Sequence, residues 1–256
     1  MLRAVDFGES DLVVHLLTPA TGRLTAIAKG ARRSKRRFPG LLDLFNHLRV
    51  EVEPPRRGSL ARLEHARLIQ AFIGLRTDSR RFALGCYLLE LLDRLAPEGG
   101  ALHDLERLFA FAAQALASLE HVQPDRRARV LLELRALAAL GLRPELRRCV
   151  RCGREAAGSG PVTFHVPEGG PVCRSCERPG DGGVAVHLGT LRALERGASL
   201  PLAHMERLAL PPAALEEALR LLDRFQRFHV GLALRSREFL DRALDAPVVS
   251  PGAFSH

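Results

Sequence analysis

The sequence predicts an α+β chain of more than one domain: a small N-terminal β-barrel, then helices, with a cysteine module inserted among them. Three observations predict it. The first 76 residues alternate apolar and polar positions in short runs separated by turn residues about every ten positions, the pattern of a small barrel or sandwich. From Asp78 the apolar residues recur at helical spacing. Cys149, Cys152, Cys173 and Cys176 read C-x2-C, a loop of twenty residues, then C-x2-C.

Leu12 to Leu17 is a leucine and β-branched run that reads as a strand. Thr18 to Arg23, with Pro19 and Gly22, is its turn, and Leu24 to Lys29 is the returning strand. Gly30 ends that strand, and Ala31 to Gly40 reads as a long polar loop. Phe45 to Glu53 alternates again, Pro54 to Gly58 turns, and Leu60 to Ile69 is a further strand. Leu2 to Val5 is a short first strand, and the start is expected to lack part of it. About 75 residues with these strands suits a five-stranded OB-fold barrel. Helices are expected over Arg80–Leu95, Leu102–Leu119 and Asp125–Leu140, the last opened by Pro124. A short helix follows at His187–Gly197. A long one runs from Ala213 towards Leu234, and Ser236–Leu244 either continues it or follows it. The tail from Asp245 to His256, with Pro247, Pro251 and Gly252, is expected to be disordered. The expected domains are therefore 1–76 for the barrel, 77–146 and 187–244 for the helical domain, 147–186 for the cysteine module and 245–256 for the tail.

Two residues between paired cysteines let both sulfurs face one ion from a tight turn, and Gly153 relieves the first turn sterically. The loop from Ala156 to Gly170 is rich in Gly and Pro and has no helical period. It reads as a segment that needs a metal staple. One structural Zn2+ held by Cys149, Cys152, Cys173 and Cys176 is the expectation, because four thiolates fill a tetrahedral shell and leave no position for a reacting water. His165 and His187 flank the loop as alternative ligands. Cys86 sits in an apolar helix and reads as a small core residue.

No run of eighteen apolar residues crosses a membrane, and the first residues lack the apolar core of a signal peptide. The expected compartment is the cytoplasm, where thiols stay reduced. No G-x-x-x-x-G-K-[ST], G-x-G-x-x-G or H-E-x-x-H pattern occurs, so no catalytic residues are assigned.

The net charge of +9 favours polyanionic partners. Residues 1–76 hold 14 Lys and Arg against 7 Asp and Glu, 14 − 7 = +7. From Leu12 to Leu42 there is no acid, while Arg23, Lys29, Arg32, Arg33, Lys35, Arg36 and Arg37 fall there. This stretch is the predicted phosphate-binding surface, since each cation near a phosphate displaces condensed counterions. Phe38 follows directly and is a candidate platform for base stacking, as are Phe7 and Phe45. Arg126, Arg127, Arg129, Arg147, Arg148, Arg151 and Arg154 form a second basic group around the cysteines, and Arg220, Arg224 and Arg227 a third. Both read as solvated surface. A basic nucleic-acid-binding barrel with a structural zinc is the reading. Its rivals are a zinc-ribbon transcription regulator with a preferred duplex sequence, and a zinc-containing nucleic-acid-modifying enzyme.

The run from Gly8-Glu-Ser-Asp11 through Leu16-Leu-Thr-Pro19, then Gly22 and Ala28-Lys-Gly-Ala-Arg-Arg33, resembles the barrel signature of the bacterial recombination mediator family RecO. His229-Val-Gly231 and Arg235-Ser-Arg-Glu-Phe-Leu240 resemble its final helical motif, and the four cysteines its zinc-bearing branch. Arg36 stands where that family often has a small residue. The resemblance implies binding of single- and double-stranded DNA and annealing of complementary strands. It also implies work with RecR to load RecA onto strands covered by single-strand binding protein, within a nucleoid-associated cytoplasmic setting. The acidic, apolar-ended tail of single-strand binding protein is expected on the helical domain, near Arg224 and Arg227 with Leu221 and Phe225.

Overall fold

The computed structural model describes residues 1–34, 37–55, 60–158, 160–231 and 234–246. Five strands come first: β1 (Arg3–Phe7), β2 (Asp11–Thr18), β3 (Gly22–Ala28), β4 (Asn46–Glu53) and β5 (Ala61–Ala71). They form one sheet in the order β1-β2-β3-β5-β4, antiparallel except where β3 meets β5. This order suits the partly open five-stranded barrel that the sequence predicts. The α-amino group of Met1 donates to the Asn46 carbonyl at 3.0 Å, which brings the residue ahead of β1 against the start of β4. Side-chain alternation sends Val14, Leu16, Ala26, Ala28 and Leu63 inward to one cluster.

The loop after β3 is less polar in space than in sequence. Ala31, Phe38 and Leu42 are buried in the same cluster and anchor it. Lys35 and Arg36 lie outside the described residues, as do residues 56–59 of the next turn and the tail from Pro247.

The helical part comprises α1 (Ser79–Leu95), α2 (Leu102–Leu119), α3 (Arg126–Ala139), α4 (Leu188–Ala198), α5 (Pro212–Val230) and α6 (Ser236–Asp245). Asp78 caps α1 through its side chain, and Asp125 caps α3 by accepting from the Arg127 and Ala128 amides at 2.9 Å. Pro212 opens α5 at a position where its missing N–H costs nothing. Gly231, at φ 73°, ends α5 in the left-handed conformation. So α6 is a separate helix, not a continuation. Its first amides, of Arg235 and Ser236, bind the Glu90 carboxylate of α1 at 3.0 and 2.8 Å.

Between α3 and α4 lies a three-stranded sheet ordered β7-β6-β8, from β6 (Pro161–His165), β7 (Gly170–Val172) and β8 (Val184–His187). In sequence the segment from Ala156 to Gly170 has no helical period and reads as unable to bury a core of its own. The structure instead buries Phe164 and Val186 completely, and Phe164 meets the Phe225 ring of α5 edge-on at 6.4 Å. The module is thus seated on the helical core by its own apolar residues.

Barrel and helices meet along a defined seam. Gly85 of α1 lies so close to Phe45 and Leu75 that a Cβ there would come within 2.7 Å of the Phe45 ring. Asp93, buried on α1, takes His15 of β2 at 2.6 Å, Arg3 of β1 at 3.6 Å and Arg23 of β3 at 3.7 Å. The Arg23 amide also donates to the Pro97 carbonyl at 2.8 Å.

Candidate nucleic-acid interface and metal centre

The basic run folds against the β1–β2 hairpin. The Arg32 amide donates to the Ser10 carbonyl at 3.0 Å, and the Gly30 amide to the Asp11 carboxylate at 2.8 Å. This amide is the largest influence holding the Asp11 carboxyl below its usual range. Lys29 is exposed at the end of β3. The Arg32 guanidinium lies 3.4 Å from Asp6, and that of Arg33 3.7 Å from Glu9. A stretch free of acids in sequence therefore has acids beside it in space. These pairs are open to solvent, where such contacts are worth about 0–1 kcal/mol, so the arginines remain available to a competing anion.

Arg37 is placed differently. It donates to the Glu64 carbonyl at 2.9 Å, pairs with the Glu64 carboxylate at 3.3 Å and lies over the Phe38 ring at 5.1 Å. Phe38 is 4% exposed, packed in the core cluster of the five-stranded sheet. It has no free face for a base, so the stacking expectation at Phe38 is corrected, and Phe45, wholly buried, fails for the same reason. Arg23 sits at the opposite end of β3 from Lys29, held at the seam by Asp93 and Glu98. It serves the barrel–helix junction rather than the cationic group formed by Lys29, Arg32 and Arg33.

The four cysteines do converge. The Sγ atoms of Cys149, Cys152, Cys173 and Cys176 all lie within 4.8 Å of one another. Four thiolates about 2.3 Å from a tetrahedral zinc would stand about 3.8 Å apart, and Cys152 and Cys173 stand at 3.7 Å. The donor set and its spacing fit one metal ion. Gly153, at φ 72°, closes the first knuckle and donates its amide to the Cys149 carbonyl at 2.8 Å. Burial raises the Cys149 thiol, but the amides of Cys173, Arg151 and Cys152 outweigh it and draw the thiol below its ordinary value. Hydrogen bonding from Ser175 and then Cys176 brings Cys173 down to about 6, while hydrogen bonding to Cys173 and then Cys152, with burial, drives Cys176 up to about 12. Four thiols this close cannot all ionise without a cation among them. His165 and His187 are not part of the cluster. His165 stands by Glu168 at 3.4 Å, and His187 is bound by Glu217.

Arg151 is the member of the site that sequence reasoning misread as solvated surface. It is only 13% exposed. From between the first two cysteines it donates to the Cys176 carbonyl at 2.6 Å, to Asp181 at 2.5 Å and to Glu168 at 2.7 Å. It thus ties the first knuckle to the second, and its hydrogen bond is the main reason the Asp181 carboxyl falls to about 2. Its position inside C-x2-C was the available signal.

Other arginines of that group are also committed. Arg129 is buried against Glu133 at 2.9 Å and lies over the Tyr87 ring, and Arg126 pairs with Glu216 at 2.6 Å. On α5, Arg224 and Arg227 are exposed, but Leu221 and Phe225 are 1% and 2% exposed. The apolar half of that proposed tail site is therefore core. Phe228, 55% exposed, is the apolar neighbour the surface does offer. Among the described residues no helix is long and apolar enough to cross a membrane.

Residues 1–72 match the family model for the recombination protein O N terminal, and residues 76–238 that for its C terminal. The DNA repair protein RecO of Anaeromyxobacter dehalogenans (strain 2CP-C) is 40% identical over 243 residues, 94% of this chain and 93% of that one. Those of Myxococcus xanthus and Pelobacter propionicus are 38% and 35% identical, again over 94% of this chain. Two family models that together take in most of the chain, and relatives this similar over nearly all of it, show that the chain belongs to the RecO family.

Proposed function

We propose that this chain is a non-enzymatic mediator of recombinational DNA repair. It binds single- and double-stranded DNA through the barrel, speeds annealing of complementary strands and, with RecR, loads RecA onto single strands covered by single-strand binding protein. Residues 1–76 form the DNA-binding unit; 77–146 and 187–244 form the helical domain, and 147–186 carry one structural zinc. The zinc staples the two knuckles and supplies no reaction. The observation that carries the reading is the set of cations Lys29, Arg32 and Arg33 on the hairpin end of the barrel, with exposed Asp6 and Glu9 beside the arginines and half-buried Asp11 beside Lys29. Phosphate contacts carry no sequence information, so binding should be nearly indifferent to sequence and steeply weakened by salt. Two strands held by several basic surfaces have their mutual repulsion partly neutralised, so annealing should need no nucleotide. We place the tail of single-strand binding protein near Arg224 and Arg227, now with Phe228 as its apolar contact.

The test is a titration of fluorescent single-stranded DNA at two salt concentrations, with strand annealing followed in the absence of ATP. Tight binding to one duplex sequence alone would favour a transcription regulator. Cleavage or modification of the DNA would favour an enzyme. Annealing that requires ATP, or is not accelerated, overturns the mediator reading.

A further inference from the structure

Of the four phenylalanines in residues 1–76, Phe38, Phe45 and Phe72 are 4% exposed or less, while Phe7 is 54% exposed. An aromatic ring left half in solvent on an edge strand calls for an explanation. Its surroundings narrow the choice. In β1, Arg3, Val5 and Phe7 share the outer face, opposite in parity to the inward Val14, Leu16, Ala26 and Ala28 of β2 and β3. Val5, 42% exposed, pairs in register with Val13, and Val13 with Ile27, giving a short apolar row across three strands. Phe7 closes that row at the hairpin end, opposite Asp11. There the basic run is tied down: Arg32 reaches Asp6, the residue before Phe7, and Arg33 reaches Glu9, two residues after it. Lys29 stands exposed next to Gly30, whose amide binds Asp11.

An exposed apolar ring on the hairpin whose acids hold Arg32 and Arg33 suits a ligand that offers π-faces at regular intervals along an anionic backbone. Single-stranded nucleic acid is that ligand. In a duplex the bases are stacked on each other and the faces are not available, so the ring discriminates strand state rather than sequence. We infer that Phe7 is the base-stacking platform of this protein, with Lys29, Arg32 and Arg33 holding the adjoining phosphates. The inference rests on the reading of the barrel as a DNA-binding unit and adds to it a residue that sets preference for unpaired bases.

The chain contains no tryptophan, so Phe7→Trp in the full-length protein introduces a single indole reporter. Oligo-dT should quench its emission and saturate at the concentration at which anisotropy of the labelled strand saturates. Phe7→Ala should weaken oligo-dT binding roughly five- to a hundredfold, the usual range for one stacked base. The slope of log K against log salt should stay unchanged, because no phosphate contact is lost. An abasic strand of equal length should bind both proteins alike. If the parent protein binds oligo-dT but the indole emission does not change, or Phe7→Ala binds as tightly as the parent, the stacking assignment is overturned and the phosphate reading stands. If the parent protein does not bind oligo-dT at all, both fall. Emission that changes with protein concentration in the absence of DNA would show that this face meets a second copy of the chain instead, and would also overturn the assignment.

Discussion

Replacing Lys29, Arg32 and Arg33 together by alanine tests the phosphate surface most directly. The two arginines pair with Asp6 and Glu9 at 3.4 and 3.7 Å, and all four side chains are between 42% and 91% exposed. Such pairs contribute at most about 1 kcal/mol each, so the triple variant should keep its fold. Arg37 is left in place because it is bound to the β5 backbone and covers Phe38. Each lost contact on a single strand removes about 0.7 from the slope of log K against log salt, so three remove about 2.1. From about 50 to about 200 mM salt, 0.6 of a decade, the parent protein should lose about eighteen-fold more affinity than the variant (10 to the power 0.6 × 2.1). Anisotropy of labelled oligo-dT across a salt series reads the slope, and a circular dichroism melt confirms the fold. An unchanged slope in a folded variant, with binding abolished instead by alanine at Arg147 and Arg148, would refute the reasoning and move the DNA to the zinc side. The converse change, Asp6→Asn with Glu9→Gln, should strengthen binding, since those carboxylates compete with phosphate for the same arginines.

Purified protein should carry one tightly held zinc per chain by elemental analysis, and Cys149→Ser or Cys176→Ser should lose it and melt lower; a metal-free chain with the parent's melting curve would remove the staple argument. Arg151→Met should weaken metal retention about ten- to a hundredfold in a chelator competition, as expected when a supporting contact around the ligands is removed; equal retention would show that the knuckles hold their geometry without it. Glu133→Ala leaves the buried Arg129 with Asp241 as its remaining carboxylate partner among the described residues. It should cost about 3 kcal/mol or more, roughly 6–12 °C in melting temperature for a chain of this size; a shift under two degrees would mean the pair is solvated. For Glu90, burial opposes ionisation, but the Ser236 hydroxyl and the amides of Ser236 and Arg235 outweigh it and lower its pKa. Its contribution is therefore present above the ordinary glutamate pKa of 4.5 and is lost as pH falls through the lower folded value. Glu90→Gln should reduce stability at pH 7 and flatten the acid limb of a melting-temperature profile; an unaltered profile would show that α6 docks without this cap.

The sequence by itself determined the features written in short-range pattern. It placed α2 at Leu102–Leu119, the turns of the first hairpins and the two cysteine knuckles. Each of these depends on residues a few positions apart, where helical period, strand alternation or the reach of C-x2-C suffices. It missed β6, because a five-residue strand beside Gly and Pro has too little pattern to register; burial of Phe164 against Phe225, sixty-one positions away, fixes it. Tertiary structure alone decided which aromatic is free and which basic residues are. Phe38 and Phe7 have similar sequence credentials, yet the core of the sheet buries one and leaves the other in solvent. Arg23 and Arg32 belong to the same acid-free run, but Asp93 and Glu98 of the helical side claim Arg23. Arg151 looked like surface until Glu168 and Asp181 folded onto it. In each case the deciding partner lies far along the chain, and charge and burial are properties of neighbours in space that no local window contains.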